Sequence, residues 1–540
     1  MTELAPQTAS LQEACVLALH SIVARLDRER DYQPYFKVDL GPPARAIHDS
    51  WDYCDMSGRY VDAFLLIRQL TGLSAEEEEA GLRRFLLRLQ NPADGLFYNQ
   101  AGENSEYVAD MFCQSRVLIG LCSWLMETGD AQVEEALRHL VHGLMRIAER
   151  REDYVLYPRN LYREGQWLEG GLFYAPKDLW TVKPGYGGTQ LEGLMQYFRL
   201  TGDEAVLPFV RRYLRYFLDA ARVVDAEGRF SGHLHSQGIV PTMVGAAMLA
   251  EATGDKERLA RCERFLRFTL AHCSAFGWVP DGIGWPTCET CAIGDVIHLA
   301  VRLSRLGQGD FWYEVERIAR NQLLENQFRD PDLALRGRSP EPGLERIVKG
   351  SFASWARPND LLSGPDLEGC CTGGGVRAIF HVLNNCVGLE PDGAIAVRML
   401  FGVDTEEALV WSALPYAGRV QVRLKRAGRL KLRCPEGMDA AEVGLKVDGQ
   451  AVPAQAEGSY FVLEGLQAGA EVEMTFPTPI VTRKETVADV PYTVTWKGNA
   501  VIDLSPEGED YPTYRRQAWR QSVAPLAVWP YPVQSRRIHW

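Results

Sequence analysis

The chain has 540 residues, of which 46% are hydrophobic, 24% charged and 10% aromatic; this usage excludes disorder, collagen and coiled coil and leaves material for two or three cores. Its 58 Lys and Arg against 71 Asp and Glu leave a formal charge of −13, which turns away nucleic acid and anionic membrane surfaces. No stretch reaches the roughly 20 apolar residues of a bilayer span, and the first ten residues lack a basic start followed by an apolar run, so the expectation is a soluble, cytoplasmic protein with no membrane partner.

One local pattern returns along the first part of the chain: an apolar helix ending at a glycine turn, then a charged amphipathic helix. It is seen at Gly72, Gly129, Gly202, Gly254 and Gly309, at intervals of about 50 to 75 residues. Glycine suits the position just past a helix because it enters the left-handed region without a Cβ penalty, and an Asp after it caps the next helix. A sixth pair is expected around Arg377–Val387. Long aromatic loops between the pairs read as walls around a cavity. The expected architecture is therefore a closed (α/α)6 barrel over residues 1–388, with an open superhelix as the other arrangement of such pairs.

After Gly388 the texture changes to short alternating runs, among them AIAVRMLF, RVQVRLKR, RLKLRC and EVEMTF. Period-two alternation bounded by Gly, Pro and Asp-Gly predicts an antiparallel β-sandwich over 389–505. The segment 506–540, rich in Tyr, Pro, Arg and Trp, has no period and is assigned as a tail packing back on the barrel.

Most of the 12 cysteines are scattered through apolar segments, where a thiol acts as a small hydrophobe. Four are not. The run GWPTCETCAIGD holds Cys288, Glu289 and Cys291, and about 80 residues later GCCTGGGVRAIF holds Cys370 and Cys371 before a glycine-rich turn and a helix. Residues at i and i+2 do not share a helix face, so Glu289 and Cys291 converge only if the segment is a loop or an irregular first turn. Thiolates and a carboxylate suit zinc. From spacing, a four-sulfur site (Cys288, Cys291, Cys370, Cys371), a mixed site (Glu289, Cys291, Cys370, Cys371) and four buried thiols without metal all stay open.

The ETCA segment, Gly309-Asp310, Tyr313, ERIARN (316–321), the vicinal cysteines with Arg377 downstream, and the strand RLKLRCPEGM together resemble glycoside hydrolase family 127, the β-L-arabinofuranosidases, in order from about the second hairpin to about Val481. The resemblance implies an α/α barrel followed by β-sandwich modules and a retaining hydrolase acting on a glycoside or oligosaccharide. It further implies zinc on Glu289, Cys291, Cys370 and Cys371, with Cys370 as nucleophile and Cys288 a bystander. Glu316 matches a family glutamate near the sugar and His235 a family histidine. The family's acid glutamate lies in a longer loop; here GWVPDGIGW offers Asp281, beside Trp278 and Trp285, as catalytic acid. Where the family often has Gly-His-Leu, this chain has Gly188, Thr189 and Gln190.

Trp51, Tyr53, Trp167, Phe173, Tyr174, Trp180, Tyr186, Trp278 and Trp285 fall in expected loops, with Trp285 nearest the motif as a sugar-stacking candidate. Two other classes remain: carboxylate chemistry on Asp52, Asp55, Asp110 and Asp281, as in uronide hydrolases or polysaccharide lyases of similar rings, and a sugar-binding protein with structural zinc. The sequence leaves a homo-oligomer open.

Overall fold

The computed structural model describes residues 10–169, 187–230, 235–364 and 366–522. Phe173, Tyr174, Trp180 and Tyr186, and the tail from 523 on, lie outside the described residues.

Among the described residues, twelve barrel helices run in chain order: α1 (Leu11–Ala24), α2 (Cys54–Thr71), α3 (Glu76–Arg88), α4 (Met111–Thr128), α5 (Ala131–Ile147), α6 (Gln190–Thr201), α7 (Val206–Arg215), α8 (Ser236–Thr253), α9 (Lys256–Leu270), α10 (Thr290–Arg305), α11 (Trp312–Ile318) and α12 (Cys370–Cys386). The even-numbered helices pack in the cyclic order α2, α4, α6, α8, α10, α12 and back to α2. The ring is closed. Each inner helix is buried along nearly its whole length, as α2 and α8 show, because an outer helix covers its back. The outer helices bury one stripe each: α5 turns Val133, Leu137, Leu140, Val141 and Leu144 inward, spaced by one helical turn or two.

Gly72, Gly129, Gly202 and Gly254 end α2, α4, α6 and α8 in the left-handed region at φ 61 to 72°, as expected of the glycine turns. Two details differ from expectation. At the fifth turn α10 ends at Arg305 and the left-handed residue directly after the helix is Gly307, with Gly309 a second one at φ 93°. The sixth pair is not a hairpin: α12 runs to Cys386 and passes straight into a strand, Val387–Leu389, and the helix that lies against α12 and α2 is α1. The chain's first helix thus closes the ring.

Close helix packing rests on glycine. A Cβ on Gly120 of α4 would stand 2.4 Å from Gly58 O of α2, which no real side chain tolerates.

Beyond α12 the described strands form three sheets. A five-stranded sheet contains Val387–Leu389, Ile395–Val397, Gly428–Arg433, Tyr460–Leu466 and Ala456–Glu457, and a six-stranded sheet is built around Arg419–Leu424 and Glu471–Thr475. Along Arg419–Leu424 exposed and buried residues alternate strictly, and Val420, Val422, Leu432, Phe461 and Met474 of the two sheets share one buried cluster. The expected purely antiparallel pairing is corrected at one place: Ile395–Val397 runs parallel to Leu430–Leu432, because the chain leaves the first sheet for the second between them. A third, antiparallel sheet (Ile480–Val487, Val490–Lys497, Ala500–Ser505) follows. Residues 507–522 lie back against the barrel side: Asp360 accepts from the N–H of Glu509, Asp510 and Tyr511 at 2.7, 2.8 and 2.9 Å, and the buried Arg516 reaches Glu325 at 2.7 Å.

Replacing Gly120 with Ala is expected to lower stability by about 1 to 3 kcal/mol through overpacking of α2 on α4, seen as a lower urea midpoint; an unchanged midpoint would show that the two helices have room to separate.

Candidate metal and catalytic centre

The inner helices bring their N-terminal turns to one end of the barrel, and the two cysteine motifs meet there because α10 and α12 are neighbours in the ring. Glu289 is the residue before α10, with an extended backbone (φ −108°, ψ 132°). This resolves the i, i+2 difficulty: Cys291 is on the helix and Glu289 is not. The backbone of Cys288 pairs with Ala356, its N–H donating to Ala356 O at 2.8 Å, and alternation along that short bridge sends Cys288 and Glu289 to opposite sides. Cys288 Sγ consequently faces Gln322 Nε2 at 2.7 Å and Asn326 Nδ2 at 3.6 Å. The four-sulfur arrangement is therefore not the one formed.

The expected glycine-rich turn after the vicinal cysteines is corrected as well. Gly373, Gly374 and Gly375 lie inside α12, which begins at Cys370. Packing overrides their poor helix propensity: a Cβ on Gly374 would stand 2.9 Å from Cys291 Sγ, on Gly373 3.2 Å from Arg59 Cβ, and on Gly375 2.7 Å from Phe352. Without side chains there, α12 can crowd against α2 and α10.

Glu289, Cys291, Cys370 and Cys371 are all buried, and one ligand atom from each lies within 4.8 Å of the others. Cys371 Sγ is 3.9 Å from Cys291 Sγ and 4.0 Å from Cys370 Sγ, and Glu289 Oε1 is 3.6 Å from both Cys370 Sγ and Cys371 Sγ. Such a cluster can hold a metal ion. Burial works against a charged sulfur at Cys291, but the Cys370 and Cys371 thiols, Arg59 and Arg116 outweigh it and hold Cys291 well below the usual thiol range.

The other oxygen of Glu289 is taken. His235, the residue before α8, places Nε2 2.8 Å from Glu289 Oε2 and 2.5 Å from Asp281 Oδ1. Burial disfavours the imidazolium, yet these two carboxylates keep it protonated well above the ordinary histidine range. The imidazole thus turns Glu289 so that Oε1 faces the sulfurs, the arrangement by which a second ring of residues orients a metal ligand. Trp285 stacks on the His235 ring at 6.2 Å between centroids and is partly exposed.

Of the residues expected from sequence, the structure brings His235, Trp285, Asp281, Glu289, Cys291, Cys370 and Cys371 together. It leaves Glu316 out. That carboxylate is buried on α11, where it pairs with Arg320 at 2.7 Å, accepts from Leu400 N–H at 2.8 Å and from Asn499 Nδ2 at 3.1 Å; it is occupied in joining the barrel to the β region. Asp281, the expected acid, is fully buried with its carboxylate against His235. Gln190, in the position of the family's Gly-His-Leu motif, is buried and hydrogen-bonds Met111 O and Tyr213. Asp52 accepts from Phe36 N–H, Gln33 and His48, Asp55 holds Arg59, and Asp110 caps α4 and binds Asn160.

One functional candidate was missed in the sequence. Glu368 precedes the vicinal cysteines on a strand, Asp366–Glu368, that pairs with Lys37–Asp39. Leu367 points into the core, so Glu368 points the other way, partly exposed, with Oε2 3.8 Å from Cys370 Sγ. Burial, then the charges of Glu289, Asp366 and Cys291, push its carboxyl up to about 8. The alternating Asp-Leu-Glu just ahead of the cysteines was the available signal. Arg59, in the run WDYCDMSGRY with Asp52 and Asp55, is held at 3.0 Å by the two oxygens of Asp55, and its Nη1 lies 3.7 Å from Cys291 Sγ.

No protein-family model and no curated protein matches the sequence. Solved structures do match in fold. A GH127 β-L-arabinofuranosidase from Geobacillus stearothermophilus T6 is 16% identical, with TM-score 0.63 over 92% of this chain and 85% of that one. Another GH127 β-arabinofuranosidase is 14% identical, with TM-score 0.61 over 92% and 83%. A cellobiose 2-epimerase from Bacillus thermoamylovorans is 11% identical, with TM-score 0.52 over 68% of this chain and 98% of that one. The chain has the fold of the two arabinofuranosidases along nearly its full length. Among the described residues, no helix is long and apolar enough to cross a membrane.

Replacing Asp281 with Asn removes the charge that holds His235 over Glu289. Metal retention should weaken by roughly 10- to 100-fold, measured by competition with a chelating dye; wild-type retention would detach Asp281 from the centre.

Proposed function

We propose that this protein is a retaining glycoside hydrolase that releases a terminal sugar, on the chemical pattern of the β-L-arabinofuranosidases whose fold it has, with Cys370 as nucleophile and a zinc ion on Glu289, Cys291, Cys370 and Cys371. The observation that carries this reading is the meeting of three sulfurs and one carboxylate oxygen at the helix N-termini of an α/α barrel. For a tetrahedral ion with sulfur at about 2.3 Å and oxygen at about 2.1 Å, the edges are about 3.8 Å between sulfurs and about 3.6 Å between sulfur and oxygen. The sulfur pairs at 3.9 and 4.0 Å and the sulfur–oxygen pairs at 3.6 Å match those edges. A donor set of three thiols and a carboxylate suits zinc and disfavours magnesium or calcium. When bound, zinc would keep the thiols deprotonated at neutral pH.

The chain's own residues do the rest. Cys370 Sγ attacks the anomeric carbon as the bond to the leaving oxygen breaks, and Glu368, its carboxyl 3.8 Å from that sulfur, gives a proton to the leaving oxygen. The sugar is then carried on Cys370 as a thioglycoside. In the second half, Glu368 takes a proton from water as the water oxygen enters on the face the leaving group vacated, opposite the C–S bond, and the sulfur departs as thiolate, so that two inversions retain the configuration. Trp285, stacked over His235 at the centre, offers its ring to the C–H face of the sugar.

Cys370→Ala should abolish turnover of a responsive aryl glycoside while circular dichroism stays native, and zinc should assay at about one per chain in the wild type and be lost, with activity, on chelation. Full activity in either case would exclude the cysteine nucleophile.

Glu368→Gln should slow hydrolysis of glycosides with poor leaving groups by about 10²- to 10⁴-fold, and far less for dinitrophenyl leaving groups, which need no proton. Equal losses on both would show that Glu368 is not the acid. The first product released, followed by NMR, should carry the substrate's anomeric configuration.

A further inference from the structure

Arg116 takes no part in the bond-making and proton-transfer steps above. It lies on α4, one helical turn beyond Phe112, and is 5% exposed. Its Nε and Nη2 are buried with no hydrogen-bond partner among the described residues. It shares the Phe112 ring with Arg59: Arg116 Cζ is 5.0 Å and Arg59 Cζ 5.9 Å from the ring centroid, and Arg59 Nη1 is 3.7 Å from Cys291 Sγ. Two guanidinium groups therefore stand beside the cluster, and their situations differ. Arg59 is answered by Asp55. The anionic groups that act on Arg116 are Asp295, Asp55 and Cys291, and neither carboxylate forms an ion pair with it within 4 Å among the described residues.

A buried guanidinium with open donors is costly unless an anion completes it. Its planar donor fork fits a carboxylate with two parallel hydrogen bonds, and the surrounding helix N-termini add positive potential. We infer that the sugar bound at this centre carries a carboxylate, received by Arg116 beside the metal-cluster end of the barrel, so that the substrate is an acidic glycoside of the uronide class. This rests on the hydrolase reading for its chemistry, but the binding it describes can be measured without catalysis.

The test compares p-nitrophenyl glycosides of uronic acids with their neutral counterparts of the same ring and configuration, using the full chain, and measures binding of the free sugars by calorimetry. Wild-type protein should favour the uronide in kcat/KM by at least about tenfold, because a site built around a charged contact rejects the analogue that lacks it. Arg116→Gln should bring that ratio to within about twofold, and Arg116→Lys should keep part of it. A wild-type ratio of one or less overturns the inference, and needs no variant to fold. So does an Arg116→Gln protein that loses both substrates equally, which would make Arg116 a counter-charge to the thiolates only. If neutral glycosides alone are cleaved, the carboxylate inference fails and the hydrolase reading stands. If nothing is cleaved but uronates bind more tightly than neutral sugars in an Arg116-dependent way, the hydrolase reading fails and the inference stands.

Discussion

The constraint on which this structure depends is the adjacency of α10 and α12 in a closed ring. Neither cysteine motif can assemble a four-atom site alone; the pairing of ligands 81 and 82 residues apart in sequence is set by which inner helices touch and by the end at which they begin. The three glycines of α12 set how closely they approach. Fold closure and site assembly are in this sense one event, and α1, by covering α12 and α2, takes part in both.

Charge is managed in layers inside the ring. At the N-terminal ends of the inner helices, Arg59, Asp55 and the sulfurs form one group. Deeper, Arg377 bridges Asp62 of α2 at 2.8 Å and Glu192 of α6 at 2.7 Å, while His298 and His381 stack at 3.9 Å and stay neutral because burial and neighbouring arginines oppose their charging. Arg377, part of the vicinal-cysteine motif in sequence, thus ties the helix that carries Cys370 to two others across the ring. Such buried pairs contribute less to net stability than to fixing a single arrangement.

Much of this was legible in the chain. The glycine turns gave the hairpins, because a left-handed residue after a helix leaves few choices but glycine, and the alternating runs after Gly388 gave the sheets. The cysteine motifs pointed to the centre. What sequence could not supply was partnership. Glu316 reads as a polar residue on a charged helix, but only the β region decides that its carboxylate is consumed by Leu400, Asn499 and Arg320. Glu368 gains its place from a strand pairing with residues more than 300 positions earlier. Gly373, Gly374 and Gly375 argue locally for a turn, and only the crowding of three elements makes them helix. The arginines at 59 and 116 stand out in apolar inner helices, yet their meeting over Phe112 is a product of the ring.

The π-helical turn Ala319–Leu323, directly after α11, directs consecutive side chains to different parts of the molecule. Arg320 donates to Leu400 O, Asn321 exchanges hydrogen bonds with Asn499 and Val501 at 3.1 and 2.8 Å, and Gln322 holds Val279 N–H at 2.7 Å as well as Cys288. One widened turn therefore clamps the third sheet on one side and, on the other, the loop that delivers Asp281 and Glu289. The barrel and the β region are consequently not interchangeable cassettes: excising the strands would strip partners from the very residues that seat the loop, and an isolated ring would inherit the ligands without the scaffolding that aims them.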